Sequence, residues 1–240
     1  MNKKVIGIIV AIIITLAVVI GLIVLISNDS LNNSKNNNDT NKVLGTTLTE
    51  NDNTINDEGK TEDNTKSSKR ILIAYFSRAD ENYNVGNVDV GNTEIMAGFI
   101  KDYLGDKADT FKIDPVKPYP ANYKECTEIA TEELNSNARP EFKNANSLNL
   151  NNYDIIFIGY PIWWYQMPMA MYTLFDNYDF TDKTIIPFNT HEGSGSSGTY
   201  EDIQKLEPKA KVLEGLPIRG GDMVSDQSSK VDSWLNKLGI

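Results

Sequence analysis

Short apolar runs recur along the chain from residue 70 onward, and each is followed by a segment whose apolar residues return with helical spacing. The runs cover residues 70–76, 108–113, 153–161, 183–191 and 210–216, and they have the lengths of strands. The segments of helical period cover residues 92–105, 122–136, 167–178, 199–206 and 228–239. Strands and helices that alternate in this way predict an α/β domain, in which helices cover both faces of a parallel sheet.

The N-terminal residues follow a different pattern. An uncharged and almost continuous apolar run extends over residues 5–26, long enough to cross a bilayer as a helix. It exceeds the apolar core of a typical signal peptide, and the ISNDSLNN that follows offers no small-x-small cleavage site. We therefore favour an uncleaved transmembrane anchor, residues 1–26, over a cleaved leader. Lys3 and Lys4 precede the run and predict a cytoplasmic N-terminus, hence a single-pass protein of the cell membrane with an extracytoplasmic C-terminal domain.

Residues 27–69 are rich in Asn, Asp, Ser, Thr and Lys and contain no aromatic residue. Such a composition cannot bury enough apolar surface to offset the conformational entropy of the chain. The pattern predicts a disordered polar linker that tethers a globular domain, residues 70–240, to the anchor.

The formal net charge is −10, and nearly all of it falls after residue 69. An acidic domain repels phosphate, so nucleic acid is not expected as a partner. The charge suits either ordinary solubility or an acidic rim that meets a basic redox protein. Cys126 is the only cysteine, which excludes an intramolecular disulfide and a cysteine-rich metal site. It shares a helix face with Ala130, and this placement predicts a buried structural thiol.

The loops that follow the strands are the candidate site, because parallel sheets bind ligands at the carboxyl ends of their strands. After the first strand come Ser77 and Arg78, and Asn92 and Thr93 open the next helix. Hydroxyls and free backbone N–H groups at a helix N-terminus suit an anion such as phosphate. The alternative is that Asn92 simply caps the helix.

The loop after the third strand contains two adjacent tryptophans in the sequence GYPIWWYQMPM, residues 159–169. Pro161 and Pro168 restrict the backbone on either side. Both indoles could lie in the core, since tryptophan is usually well buried. Because neighbouring side chains at a strand end cannot both point inward, we expect Trp163 or Trp164 to stack on a flat ligand.

The loop after the fourth strand reads NTHEGSGSSGT, residues 189–199. Its glycines allow the backbone to approach a ligand closely and to donate N–H groups. His191 is the only histidine of the chain, and it suits either an ordinary loop residue or a hydrogen-bond donor to a heterocycle.

An anion site, an aromatic surface and flexible N–H donors on adjacent strand ends describe a planar heterocycle with a phosphate tail. Residues 70–240 resemble the flavodoxin family in three motifs that occur in family order. These are GNTE at the first helix, GYPIWW followed by MPM after the third strand, and PF-x-TH-x-GSG after the fourth. The resemblance implies a doubly wound five-stranded parallel sheet of order 2-1-3-4-5 that binds flavin mononucleotide (FMN) non-covalently.

The resemblance also implies the residues that contact FMN. Those expected to hold the phosphate are Ser77, Arg78, Asn92 and Thr93. Those expected to line the isoalloxazine are Pro161, Ile162, Trp163 and Trp164. Those expected to close over its other edge are Thr190, His191, Gly193, Ser194 and Gly195. The chain departs from the family where an insert, residues 79–90, interrupts the compact phosphate loop, and this insert with Tyr83 could fold over the cofactor or a substrate.

Three functions follow as hypotheses. The first is a membrane-tethered flavodoxin that passes electrons between a donor and an acceptor, either redox proteins or small molecules. The second is an FMN-dependent NAD(P)H reductase for quinones or nitro compounds, favoured by a fourth-strand loop that lacks an aromatic to cover the second flavin face. The third is a flavin-free adaptor that reuses the fold.

Overall fold

The computed structural model describes residues 70–240. The predicted anchor, residues 1–26, and the predicted linker, residues 27–69, lie outside the described residues. None of the helices in the described part of the chain is both long enough and apolar enough to cross a membrane.

Eight strands and five α-helices make up residues 70–240. The strands are β1 (Ile71–Tyr75), β2 (Asp80–Asn82), β3 (Gly86–Val88), β4 (Ala108–Lys112), β5 (Ile155–Pro161), β6 (Thr184–His191), β7 (Lys211–Val212) and β8 (Leu216–Arg219). The helices are α1 (Asn92–Leu104), α2 (Tyr123–Ser136), α3 (Met169–Asn177), α4 (Thr199–Leu206) and α5 (Ser228–Leu238). All five predicted helices are therefore confirmed, with ends that differ by a residue or two.

The main sheet has the order β4-β1-β5-β6, and β7 and β8 both pair with the outer side of β6. Every pairing in it is parallel. The predicted order 2-1-3-4-5 is confirmed, with β7 and β8 together in the place of the fifth strand. The strand order reverses between β1 and β5, which is the point where such sheets bind ligands.

The fifth strand, predicted as one run over residues 210–216, is divided. Val212 lies opposite Ile185 and Leu216 lies opposite Phe188, so four steps along one strand face three along the other. The extra residue interrupts the ladder beside Pro187, which has no N–H to donate to a neighbouring strand. The prediction of one continuous fifth strand was wrong, because the interruption depends on the partner strand β6.

The core consists of two apolar layers, one on each face of the sheet. Along β5, Ile156 and Ile158 contribute to the layer under α3 and α4, whereas Ile155 and Phe157 contribute to the layer under α1 and α5. Successive residues of a strand point to opposite faces, so a strand covered on both sides is apolar throughout. The layers hold the carboxyl ends of β1, β5 and β6 in fixed positions, and Tyr160 near the end of β5 is fully buried.

The insert, residues 79–90, forms a two-stranded antiparallel hairpin of β2 and β3. Asn84 and Gly86 have positive φ angles of 55° and 84° in its turn, a conformation that these two residue types adopt more readily than others. The hairpin stands beside the carboxyl edge of the sheet, between β1 and α1 in the chain.

Candidate cofactor site

A cleft opens at the carboxyl ends of β1, β5 and β6. Its volume is about 180 Å³, and it is open to solvent at its mouth. The cleft lies at the reversal of strand order, where the sequence placed the site.

Eight of the thirteen predicted site residues line this cleft. They are Arg78, Asn92, Pro161, Ile162, Trp163, Trp164, Thr190 and His191. The other five, which are not among the lining residues, are Ser77, Thr93, Gly193, Ser194 and Gly195. The structure thus brings segments from all three predicted loops together, and the contact of each residue with a cofactor stays a prediction.

The N-terminus of α1 is packed tightly against the end of β1. The Glu94 N–H donates to the Ser77 Oγ at 3.1 Å, so a hydroxyl from the neighbouring loop satisfies one of the first N–H groups of the helix. The N-cap residue is Gly91, and it makes no side-chain capping bond. Asn92 does not cap the helix but lines the cleft. The first N–H groups of a helix, here those of Asn92 and Thr93, have no partner within the helix, and such groups suit an anion.

Thr93 and Thr190 connect α1 to the end of β6. Their hydroxyls hydrogen-bond to each other at 2.8 Å, and both residues are buried. The Thr93 side chain therefore points into the protein, and its N–H, not its hydroxyl, is the group left for an anion. The pair fixes the distance between the first turn of α1 and the end of β6, where the glycine-rich loop begins.

Arg78 makes hydrogen bonds to the backbone instead of presenting a free cation to the cleft. Its Nε and one terminal nitrogen donate to the Pro120 carbonyl at 3.2 and 2.6 Å, and the same nitrogen donates to the Ala121 carbonyl at 2.7 Å. The other terminal nitrogen donates to the Glu81 carbonyl at 2.5 Å. Four of its five N–H donors are thus engaged, and Arg78 ties the hairpin to residues 120–121.

The two tryptophans point in different directions. Trp163 is half-buried and packs edge-on against Phe76 and Tyr119, with ring centroids 5.3 and 5.0 Å apart. Trp164 is 51% exposed. Both indoles line the cleft, so the structure agrees with the expectation that the pair would not be buried together in the core.

The tryptophans belong to a tight turn with an unusual sequence. Trp163 and Gln166 exchange two backbone hydrogen bonds of 2.9 and 3.0 Å, and the central residues Trp164 and Tyr165 have φ angles of 48° and 63°. Two positive φ angles define a type I′ turn, which strongly prefers asparagine or glycine. Bulky residues in this region are strained by about 1–3 kcal/mol each. Strain of this kind is often found at functional sites.

His191 ends β6 and accepts a hydrogen bond at Nδ1 from the Gly193 N–H, at 2.9 Å. Burial lowers the pKa of the imidazole below its ordinary value. The neutral ring therefore carries its proton on Nε2, which remains available as a donor.

The side chain of Asn189 fixes the glycine-rich loop by a hydrogen bond. The Asn189 side chain is fully buried, donates to the Gly195 carbonyl at 3.0 Å and accepts from the Tyr200 hydroxyl at 2.5 Å. Gly193 and Gly195 have φ angles of 116° and 62°, which residues other than glycine rarely adopt. The two glycines are therefore required for the backbone conformation of the loop, independently of any contact with a ligand.

The comparison with protein families decides the identity of the fold. The family model for flavodoxin matches residues 70–238. The chain belongs to the flavodoxin family. No curated protein matches the chain.

Solved structures with the same fold include three bacterial proteins. A protein from Bacteroides eggerthii assigned as a flavoprotein is 26% identical, with a TM-score of 0.56, over 72% of this chain and 99% of that one. A similarly assigned protein from Bacteroides uniformis is 25% identical, with a TM-score of 0.56, over 70% and 99%. A flavoprotein from Lactobacillus acidophilus, solved in complex with FMN, shares the fold at 24% identity and a TM-score of 0.50, over 69% and 98%.

The flavodoxin cleft also has lining residues that sequence reasoning missed. They are Asn82 and Val85 of the hairpin, four residues of α2 (Tyr123, Cys126, Thr127 and Ala130), and Glu192 and Gly220. The helical spacing of the α2 residues was visible in the sequence as one face, but nothing showed that this face meets the cleft. Cys126 is buried, as predicted, and burial raises the pKa of its thiol.

We expect replacement of Tyr165 by glycine to stabilise this flavodoxin by about 1 kcal/mol. Glycine adopts a positive φ without the steric cost that tyrosine bears, and the Tyr165 side chain is 76% exposed, so little packing is lost. Urea unfolding followed by circular dichroism measures the difference. Glycine at Gln166, whose backbone has no positive φ, is the control and should destabilise the protein. A loss of stability in Tyr165→Gly would contradict the strained turn.

Proposed function

We propose that this flavodoxin binds FMN non-covalently in the cleft and transfers electrons through it. The observation that carries the proposal is the convergence at one cleft of the α1 N-terminus, the tryptophan turn and the end of β6. When bound, FMN supplies the redox chemistry by accepting and releasing one or two electrons, and the protein contributes binding, orientation and electrostatics.

The phosphate of FMN fits the N-terminus of α1. The N–H groups of Asn92 and Thr93 and the positive end of the helix dipole provide an anion site that needs no side-chain cation. This matters because Arg78 gives four of its five donors to carbonyls. We propose backbone N–H groups as the main phosphate ligands, with Arg78 as a support of the loop.

The ring system of FMN would bind against the residues at and after the end of β5. Trp163 and Trp164 offer indole surfaces, and Pro161 and Ile162 line the cleft just before them. Stacked aromatic rings contribute about 0.5–1.5 kcal/mol beyond the burial of their surface. The His191 Nε2–H would donate to the edge of the heterocycle.

The surroundings should lower the redox potential of the cofactor. Reduction adds negative charge to the flavin, and the acidic net charge of the domain, which holds nearly all of the −10 of the chain, opposes this addition. Indole walls also favour the neutral, oxidised ring over an anionic one. The protein should therefore act as a low-potential carrier between a donor and an acceptor.

Absorbance spectroscopy tests FMN binding. Full-length protein is purified, its visible spectrum is recorded, and FMN is added in steps after any bound flavin has been removed. We expect saturation at one FMN per chain and a spectrum that differs from that of free FMN. A colourless protein that binds no added FMN would overturn the proposal and leave the flavin-free adaptor as the better function.

We also propose that residues 1–26 anchor the protein in the cell membrane and that residues 27–69 let the flavodoxin domain move near its outer surface. The basis is the uncharged apolar run after Lys3 and Lys4. Cysteine introduced at Thr47 should react with a membrane-impermeant maleimide in intact cells, while the wild type, whose lone thiol is buried, should not. Labelling only after cell lysis would contradict the outward orientation.

A further inference from the structure

A second cavity, called here the side cavity, lies between α2 and the two segments that flank this helix in the chain, residues 116–119 and 138–141. Its volume is about 380 Å³, within the range of about 300–1,000 Å³ that is typical of small-molecule sites. None of the residues that line the side cavity also lines the cofactor cleft. The side cavity is therefore a separate space that FMN would leave free.

The walls of the side cavity are fixed before any ligand arrives. The Val116 N–H donates to the Glu141 carbonyl at 2.8 Å, which joins the two flanking segments. Pro118 and Pro140, one in each segment, restrict the backbone further. A preformed cavity lowers the entropic cost of binding a ligand.

Glu133 of α2 presents a carboxylate to the side cavity. Its Oε2 accepts a hydrogen bond from the Tyr119 hydroxyl at 2.7 Å, whereas its Oε1 has no hydrogen-bond partner among the described residues. Burial raises the pKa of Glu133, and the Tyr119 hydroxyl and Lys117 offset this effect only in part. A partly buried carboxylate with one unused oxygen favours a ligand that brings its own positive charge.

The cations near Glu133 do not take the place of such a ligand. The Arg139 guanidinium pairs with Asp176 and lies over the Tyr172 ring, 5.5 Å from its centroid, so it is engaged with α3. Lys117 is exposed and forms no salt bridge with Glu133 within the described residues. The domain as a whole is acidic, and its field attracts cations and repels anions.

We propose that the side cavity binds a small organic cation, a primary amine with an apolar body of about the size of one aromatic ring. Its ammonium group would donate to the Glu133 Oε1, and its apolar body would pack against Val116, Ile129 and Pro140 in the cavity lining. Binding is non-covalent and needs no cofactor. This site goes beyond the proposed FMN function and does not rest on it.

NMR titration of benzylamine with full-length protein, with benzyl alcohol and benzoate as ring compounds of other charge, tests the site. We expect saturable binding of benzylamine, while benzyl alcohol should bind about tenfold more weakly and benzoate should not bind. Excess FMN should not displace benzylamine, because the two sites share no lining residue.

Glu133→Gln removes the charge but keeps an oxygen that can accept from the Tyr119 hydroxyl. It should weaken benzylamine binding about tenfold and leave circular dichroism and FMN affinity unchanged. Glu132→Gln is the matched control, since it removes the same charge from the next residue of α2, which is exposed and does not line the side cavity.

Four results would each overturn the amine site. They are the absence of saturable benzylamine binding, equal affinity for benzyl alcohol, unchanged affinity in Glu133→Gln, and displacement of benzylamine by FMN. None of these results alters the FMN titration, which tests the proposed function separately.

Discussion

Replacement of Gly91 by alanine should lower FMN affinity by about a hundredfold or more, equivalent to about 2.7 kcal/mol. A Cβ atom at this position would lie closer than 3.0 Å to the Ser77 hydroxyl and to the carbonyl group of Arg78, an approach that real Cβ atoms essentially never show. The loop at the end of β1 and the start of α1 must then move apart. This movement breaks the hydrogen bond from Glu94 N–H to Ser77 and displaces the N–H groups proposed to hold the phosphate.

Titration with FMN followed by visible absorbance measures this loss, and urea unfolding should show a destabilisation of about 1–3 kcal/mol. Gly98→Ala in the same helix is the matched control. An added Cβ at Gly98 meets nothing within 4 Å, and alanine in a helix interior is favoured over glycine by about 0.5–1 kcal/mol. Gly98→Ala should therefore bind FMN normally, and equal affinities for the two variants would refute the role of Gly91.

The parts of the fold that were predictable are those in which burial imposes a regular pattern of apolar residues along a continuous stretch of the sequence. In β5, residues 155–160 are all buried, and the sequence is apolar throughout except for Gly159. Gly159 itself packs under the Phe188 ring, where no Cβ would fit. For α1, the apolar spacing and Gly105 at its end, with a φ of 57°, were sufficient to place both boundaries.

The parts that were not predictable depend on residues far apart in the chain. The hairpin has no apolar alternation, and its position is set by Glu81 bonding to Tyr123, which is 42 residues away. Arg78 likewise follows Ser77 in a loop that suggests phosphate, yet its partners are carbonyls at residues 120 and 121. Local composition gives the type of such residues but not the long-range bonds that decide their role.

The tryptophan turn shows the same limit in backbone geometry. Positive φ is ordinarily signalled by glycine or asparagine, and neither occurs at Trp164 or Tyr165. The two backbone bonds between Trp163 and Gln166 impose this conformation. One consequence is that the neighbouring indoles point in different directions. Mutations can therefore separate their contributions to cofactor binding from their contributions to protein stability.

Removal of either indole should raise the midpoint potential of bound FMN. An indole stacked on the oxidised ring stabilises it relative to the reduced, anionic form, and a differential loss of about 0.5–1.5 kcal/mol corresponds to a shift of about 10–30 mV for a two-electron couple. FMN affinity should fall by about threefold to tenfold in Trp163→Ala and in Trp164→Ala. Redox titration of each FMN-loaded variant measures the shift.

The two variants should differ in protein stability. Trp163 packs edge-on against Phe76 and Tyr119, so its loss should cost about 2 kcal/mol of unfolding free energy, less than for a fully buried tryptophan. Trp164 is 51% exposed, and its replacement should leave stability nearly unchanged. Trp164→Ala therefore reports on the cofactor without a packing defect, while unaltered potentials in both variants would show that neither indole stacks on the flavin.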